Sequence, residues 1–83
     1  MNPIHLIIVT PQGLLVDRQV AKVFLPGTYS PFEVLKDHAP MISSLSKGSV
    51  RFFSEEPEEE QGIAIASGFV EVLDNTVTVA AEL

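Results

Sequence analysis

Asp37 and His38 stand side by side, with Ser43 and Ser44 a few residues further on. An acid, an imidazole and a hydroxyl are the three types a nucleophilic triad requires. A working triad needs the histidine to bridge acid and nucleophile in a cleft that also holds an oxyanion hole. Here all three types fall within one local turn and strand, so no catalytic residue is expected. His5 and His38 are the two imidazoles of the chain. Without a spaced ligand motif they give little ground for a metal site, and a histidine bonded to backbone or solvent is the expectation for each. Glu55, Glu56, Glu58, Glu59 and Glu60 form an acidic run, but it lacks the spaced Asp/Asn ligands and the turn glycine of a calcium loop. Gly27, Gly48, Gly62 and Gly68 each stand alone beside a turn, and none belongs to a phosphate-cradling glycine loop. No cofactor and no bound metal are therefore expected.

What remains is surface. Tyr29, Pro31, Phe32, Pro40 and Met41 place large apolar or rigid groups in the turns Thr28 to Phe32 and His38 to Ile42, where a lone domain normally shows polar residues. Two readings stand for these positions. Phe32, Ile42 and Met41 can belong to the core, whereas Tyr29 and Pro31 flank a turn, and tyrosine favours interfaces.

Composition narrows the function classes further. The 83 residues make one small domain spanning 1–83; a chain of this size buries only about 60% of its unfolded surface, so a partner would add to modest stability. There is no cysteine to staple the fold or suggest a secreted scaffold. No uninterrupted apolar run exceeds four residues, as in Leu6 to Val9, far short of the ~20 a membrane helix needs. Met1-Asn2-Pro3 carries no basic head or apolar segment of a leader, and a cytoplasmic protein is the default expectation. The net charge is −6, yet outside the acidic run six acids face five bases. The acidity belongs mainly to one segment, expected to be a solvated loop, and nothing resembles the clustered Lys and Arg of a nucleic-acid surface.

The elements that position these groups read as strands. Valine, isoleucine and threonine contribute twenty residues, and no window shows a capped helical stripe. Ile4 to Val9 is a buried-strand candidate, closed by the turn Thr10-Pro11-Gln12-Gly13. Leu14 to Val16 and Val20 to Leu25 follow on opposite parities, so a bulge or bend is expected near Asp17-Arg18. Pro26-Gly27 stops the second of these. Phe32 to Leu35, Met41 to Ser46, Ser49 to Ser54 and Gly62 to Ala66 are further short strands, with Glu55 to Gln61 linking the last two. Met41 to Ser46 carries small residues on both faces, which suits the close approach of something else. If Asp74-Asn75 is a two-residue turn, Leu73 faces Thr76, Val72 faces Val77, Glu71 faces Thr78 and Val70 faces Val79. One face of that hairpin is then all valine. The expected fold is all-β, a β-sandwich or flattened barrel.

The order of turns and strands from Leu25 to Arg51 carries a resemblance. Leu-Pro-Gly, then Phe-x-Val-Leu, then His-Ala-Pro, then a strand and Lys-Gly-x-Val-Arg resembles the amino-terminal domain of the epsilon subunit of rotary, F-type ATP synthases. Leu6 to Gly13 looks like that family's first strand and turn, and Ala66 to Val72 like its late strands. The resemblance implies a β-sandwich of about ten short strands. Its departures are Ser30, Glu33 and Lys36-Asp37, which stand where the family usually has a glycine-rich turn, another glycine and Pro-Gly. Such changes alter which backbone angles a turn can adopt.

By this resemblance the chain would be a non-catalytic central-stalk subunit. Its partners would be the gamma subunit and the membrane rotor ring, it would sit at the cytoplasmic face of the membrane, and it would hold no nucleotide. The resemblance puts the His-Ala-Pro turn beside stalk and ring, so Tyr29, Ser30, Pro31, Phe32, His38, Ala39, Pro40 and Met41 form the expected partner-binding set. The family usually continues into a helical hairpin that binds nucleotide in some members and can obstruct rotation in the hydrolysis direction. If Leu83 is the natural end, that self-inhibition is expected to be missing. The rival reading is a free-standing β-sandwich adaptor that accepts a peptide strand along a sheet edge.

Overall fold

The computed structural model describes residues 3–83. Met1 and Asn2, part of the segment from which the lack of a leader was read, lie outside the described residues. Among the described residues nine strands follow one another: β1 (Ile4–Thr10), β2 (Gly13–Val20), β3 (Lys22–Leu25), β4 (Phe32–Val34), β5 (Met41–Leu45), β6 (Gly48–Phe53), β7 (Glu60–Ile65), β8 (Ser67–Leu73) and β9 (Thr76–Glu82). They form two sheets, of order β2-β1-β9-β8-β5 and β4-β3-β6-β7, packed as a β-sandwich. The all-β expectation holds, with nine strands in place of about ten. No helix among the described residues is long and apolar enough to cross a membrane.

Period-two alternation builds the interior. Ile4, Leu6 and Ile8 of β1, Val70 and Val72 of β8, and Val77 and Val79 of β9 point inward and are almost fully buried. Val23, Leu25, Val34, Val50, Phe52 and Ile65 of the four-stranded sheet meet them. Among the described residues no polar or charged side chain is buried, so the core holds by apolar burial and close packing alone.

The last hairpin has the register read from its turn: Leu73 opposite Thr76, Val72 opposite Val77, Glu71 opposite Thr78 and Val70 opposite Val79. Asp74 and Asn75 adopt φ of 49° and 59°, the left-handed pair that a two-residue turn of this hand requires. The first hairpin also turns on two residues, pairing Thr10 with Gly13. Gly13 has φ 126°, a conformation glycine alone adopts easily.

The region after that turn departs from expectation. β2, Gly13–Val20, is one strand, and its irregularity lies at Leu15, where Ile8 pairs with Val16 and Val9 with Leu14. No correction occurs at Asp17-Arg18. Val16 does face inward, packed against the core opposite buried Ile8 and on the parity of buried Val20, while Leu14 and Leu15, at the bulge, are exposed; β2 therefore needs no correction of its facing at Asp17-Arg18. The chain instead changes sheets at Ala21, whose N–H donates to the Phe53 carbonyl at 2.7 Å.

Both open sides of the sandwich are tied. On one, Arg18 of β2 donates to Gln61 of β7 at 2.9 Å and lies 6.0 Å from the Phe52 ring centroid. On the other, the chain beyond β3 pairs with β5 through a Gly27–Leu45 bridge, flanked by bonds from Thr28 N–H to the Ser44 carbonyl and from Ser46 N–H to the Pro26 carbonyl.

The outer face of the four-stranded sheet carries Phe24 and Phe53 edge to face at 5.7 Å. The Lys22 ammonium lies 4.7 Å from the Phe53 centroid and the Arg51 guanidinium 4.6 Å from that of Phe24. These cations also reach Glu58 at 3.9 Å and Glu60 at 3.7 Å. The acidic linker is shorter than expected, because Glu60 and Gln61 already pair with Phe53 and Phe52. The loop proper is closed by Ser54, whose N–H donates to the Glu59 carbonyl and whose hydroxyl accepts from the Glu59 N–H.

Two outcomes follow from this arrangement. Val77→Ala removes a fully buried aliphatic and should cost about 2 kcal/mol, while Thr78→Ala, on the outward face, should cost a fraction of that; urea unfolding of the two variants checks the difference. Replacing Glu55–Glu59 by a tight turn should change stability by less than about 1 kcal/mol, since closure cost varies slowly with length and the ion pairs are exposed, provided Glu60 and Gln61 keep their strand pairing.

Candidate functional site

The candidate site grows from the way Gly27 lets the loop after β3 fold back on itself. A Cβ at Gly27 would lie 2.4 Å from the Ser30 carbonyl oxygen and 2.9 Å from the Phe32 ring. Glycine here allows the Thr28–Pro31 loop to fold back over the end of β3. That loop is held against β5 by the Thr28–Ser44 backbone bond and by the Ser44 hydroxyl, which donates to Thr28 Oγ1 at 2.7 Å. The small residues of β5, legible as a surface for close approach, receive this loop.

The result is a surface groove of about 510 Å³ lined by Tyr29, Ser30, Phe32, His38, Met41, Ile42, Ser43 and Ser44. Tyr29 is 99% exposed and Ile42 77%. Phe32 and Met41 are partly buried against the core. Of the eight expected residues, Tyr29, Ser30, Phe32, His38 and Met41 come together here. Pro31 and Ala39 are exposed outside it, and Pro40 lies instead with Met41, Ile42, Glu71, Val72 and Leu73 in an adjoining groove. Ser43, Ser44 and Ile42 were missed as lining residues. Ile42 corrects the core reading: it stands on the outward parity of β5 opposite Glu71, and that parity was itself visible in the sequence.

The polar groups near the groove are committed to structure. His38 Nδ1 donates to the Ala39 carbonyl at 2.7 Å, because a carbonyl can only accept. The Asp37 carboxylate accepts from Asn75, and the Ser43 hydroxyl donates to the Ser44 carbonyl. Asp37, His38 and the serines therefore form no hydrogen-bonded relay. His5 has Asp17 as its partner. Among the described residues no group of three or more His, Cys, Asp or Glu is placed to hold a metal ion.

Ile42 joins the groove to a second surface, the outward face of the five-stranded sheet, where Phe69 is 65% and Leu73 46% exposed. At the far end of that face Val9, Thr10, Pro11, Gly68, Phe69 and Ala80 line a further depression. A Cβ at Gly68 would come within 2.7 Å of the Ala80 carbonyl oxygen, so glycine permits the close approach of β8 to β9 there. The arrangement can bind a surface by shape and apolar contact.

The family described as "ATP synthase, Delta/Epsilon chain, beta-sandwich domain" matches residues 3–83. The chain is 40% identical over 79 residues to the ATP synthase epsilon chain of Nitratidesulfovibrio vulgaris, covering 95% of this chain and 58% of that relative. It is 40% identical over 75 residues to the ATP synthase epsilon chain of Chlorobaculum tepidum, covering 90% of this chain and 84% of that one. The chain thus spans little more than half the length of the first of these relatives. Among solved structures, a chain of the Euglena gracilis mitochondrial ATP synthase superposes with a TM-score of 0.85 at 21% identity, covering 95% of this chain and 50% of its own. A chain from the central stalk/c-ring of the Tetrahymena thermophila mitochondrial ATP synthase gives 0.80 at 15% identity, covering 99% and 65%. At these identities the superpositions show the fold.

Gly27→Ala should drive its methyl group into the Ser30 carbonyl and the Phe32 ring, costing about 1–3 kcal/mol and disturbing the groove. Gly62→Ala, whose Cβ would meet nothing closer than 3.7 Å, should cost far less. Denaturant midpoints and amide chemical-shift maps of the two variants check the contrast.

Proposed function

Because the chain belongs to the β-sandwich domain family of ATP synthase delta and epsilon chains, we propose that it is a non-catalytic central-stalk component of an F-type ATP synthase. In this reading it couples the gamma subunit to the membrane rotor ring at the cytoplasmic face of the membrane. The observation that carries the proposal is the 40% identity to epsilon chains across 95% of the sequence. In this reading residues 1–83 act as one domain, whose described residues build the β-sandwich.

The mechanism is mechanical. Torque passes along the stalk only while gamma and ring turn together, so the part wedged between them must resist shear and present two contact surfaces. Resistance comes from an apolar core in which, among the described residues, no polar or charged side chain is buried, and from ties across both open sides of the sandwich. The contact surfaces are the groove around Tyr29, Phe32, His38 and Met41 and the outward face bearing Ile42, Phe69 and Leu73. Proton passage and ATP chemistry take place in other subunits. Pro31, Ala39 and Pro40 remain in the proposed contact set as exposed residues beside the groove.

Tyr29→Asp combined with Ile42→Asp changes two exposed side chains and should leave the fold and its unfolding midpoint nearly unchanged. It should weaken binding to gamma or the ring by at least about tenfold, the scale expected when apolar interface anchors are replaced by charge. Co-purification with the complex and ATP-driven proton pumping in vesicles measure the loss. Normal assembly and pumping with the double variant would remove these surfaces from the interface.

A further inference from the structure

Two left-handed turns from distant parts of the chain meet at one end of the sandwich. Asp37 has φ 63° in the turn between β4 and β5, and Asn75 has φ 59° in the turn between β8 and β9. The Asn75 carboxamide joins them in both directions. Its Oδ1 accepts from the Asp37 backbone N–H at 2.6 Å, and its Nδ2 donates to Asp37 Oδ1 at 3.0 Å. The orientation of the amide is settled by chemistry, since an N–H needs an acceptor and a carboxylate needs a donor. The Asn75 carbonyl also accepts from the His5 N–H at 2.8 Å, so one residue ties β1, the last hairpin and the turn carrying His38.

We infer that Asn75 is a positioning residue for the partner-binding groove, acting through Asp37. The turn Leu35–Pro40 passes from the four-stranded sheet to the five-stranded one. Within it only His38 N–H to the Leu35 carbonyl, at 3.2 Å, closes the backbone on itself. The Asn75 clasp is what secures that turn to the five-stranded sheet. The residue after the clasped Asp37 is His38, which lines the groove, and the turn leads directly into Met41 and Ile42, which line it too. Asp37 holds a positive φ and a carboxylate at the same position. Glycine adopts positive φ more easily but has no carboxylate; aspartate tolerates the left-handed region and supplies the acceptor that Asn75 Nδ2 meets. The clasp is thus a feature of this pair of residues.

The inference rests on the stalk reading for the identity of the partner, and the test separates the two. The full chain is compared with Asn75→Gly, which keeps the turn's backbone freedom and deletes both clasp bonds, and with Asp37→Gly, which leaves the hairpin untouched and deletes one. Amide hydrogen exchange should accelerate by about tenfold or more at Asp37 and His38 in Asn75→Gly, while amides of Val70 and Val79 keep their protection. Binding to purified gamma–ring complex should weaken in parallel. Asn75→Asp sets two carboxylates against each other and should weaken binding as well; adding Asp37→Asn restores a donor–acceptor pair with its direction reversed and should recover it. Unchanged exchange at Asp37 and His38 would overturn the clasp. Faster exchange with unchanged binding, or no recovery in the reciprocal double variant, would overturn its positioning role. A wild-type chain that binds neither gamma nor ring would overturn the stalk reading and this inference with it, whatever the exchange rates show.

Discussion

The pairing of the first strand with the last is the constraint on which the rest of the molecule depends. β1 runs parallel to β9, His5 opposite Thr76 through Val9 opposite Ala80, and β9 is the central strand of the five-stranded sheet, with β1 beside it. Every other pairing in the sandwich is antiparallel. A parallel pair cannot be joined by a tight turn, so the whole chain between Thr10 and Thr76 serves as its connection. Ile4, Leu6 and Ile8 are buried beside Val77 and Val79 because of it. The closure is long-range and entropically costly. What offsets it is a continuous inward row of aliphatic side chains across the two strands.

From that central pair the surface features follow outward. β8 is fixed to β9 by its two-residue turn, β5 to β8 by pairing, and the Thr28 loop to β5 through Gly27 and Ser44. Asn75 sits at the start of this chain of contacts and reaches across to Asp37. The groove therefore inherits its geometry from the core sheet, although the residues lining it come from loops and an edge strand. An apolar interior with polar side chains confined to the surface fits the proposed role of holding two other bodies in register.

The sandwich also shows how a small β domain manages its edges. β2 is long and exposed, yet it carries a bulge at Leu15, charges at Asp17 and Arg18, and a side-chain tie to Gln61. Each makes the edge a poor template for strand addition. On the outer face of the other sheet, Lys22 and Arg51 cover Phe53 and Phe24 and turn toward Glu58 and Glu60. The acidic run is thereby in part the counter-charge of an aromatic surface, and it remains solvated as its composition implied.

Local rules were enough wherever a feature depends on neighbouring residues. The all-β class, the strands in β1, β6 and β8, the stop at Pro26-Gly27 and the full register of the valine hairpin were legible, because alternation and the left-handed tolerance of Asp74-Asn75 act over two to eight residues. The continuous β2 was misjudged at Asp17-Arg18, since parity says that the facing must change between Val16 and Val23 and not that it does so where the chain passes from one sheet to the other, at Ala21. Five of the eight expected residues, Tyr29, Ser30, Phe32, His38 and Met41, line one groove, whereas Ile42 was left open between core and surface, and Ser43 and Ser44 were not connected to Thr28. What only the tertiary structure decided is which distant segments meet: β1 with β9, Gly27 with Leu45, Asp37 with Asn75. Those contacts span tens of residues, and their partners are chosen by the topology that buries the most aliphatic surface while pairing every strand, a condition that no short window of sequence contains.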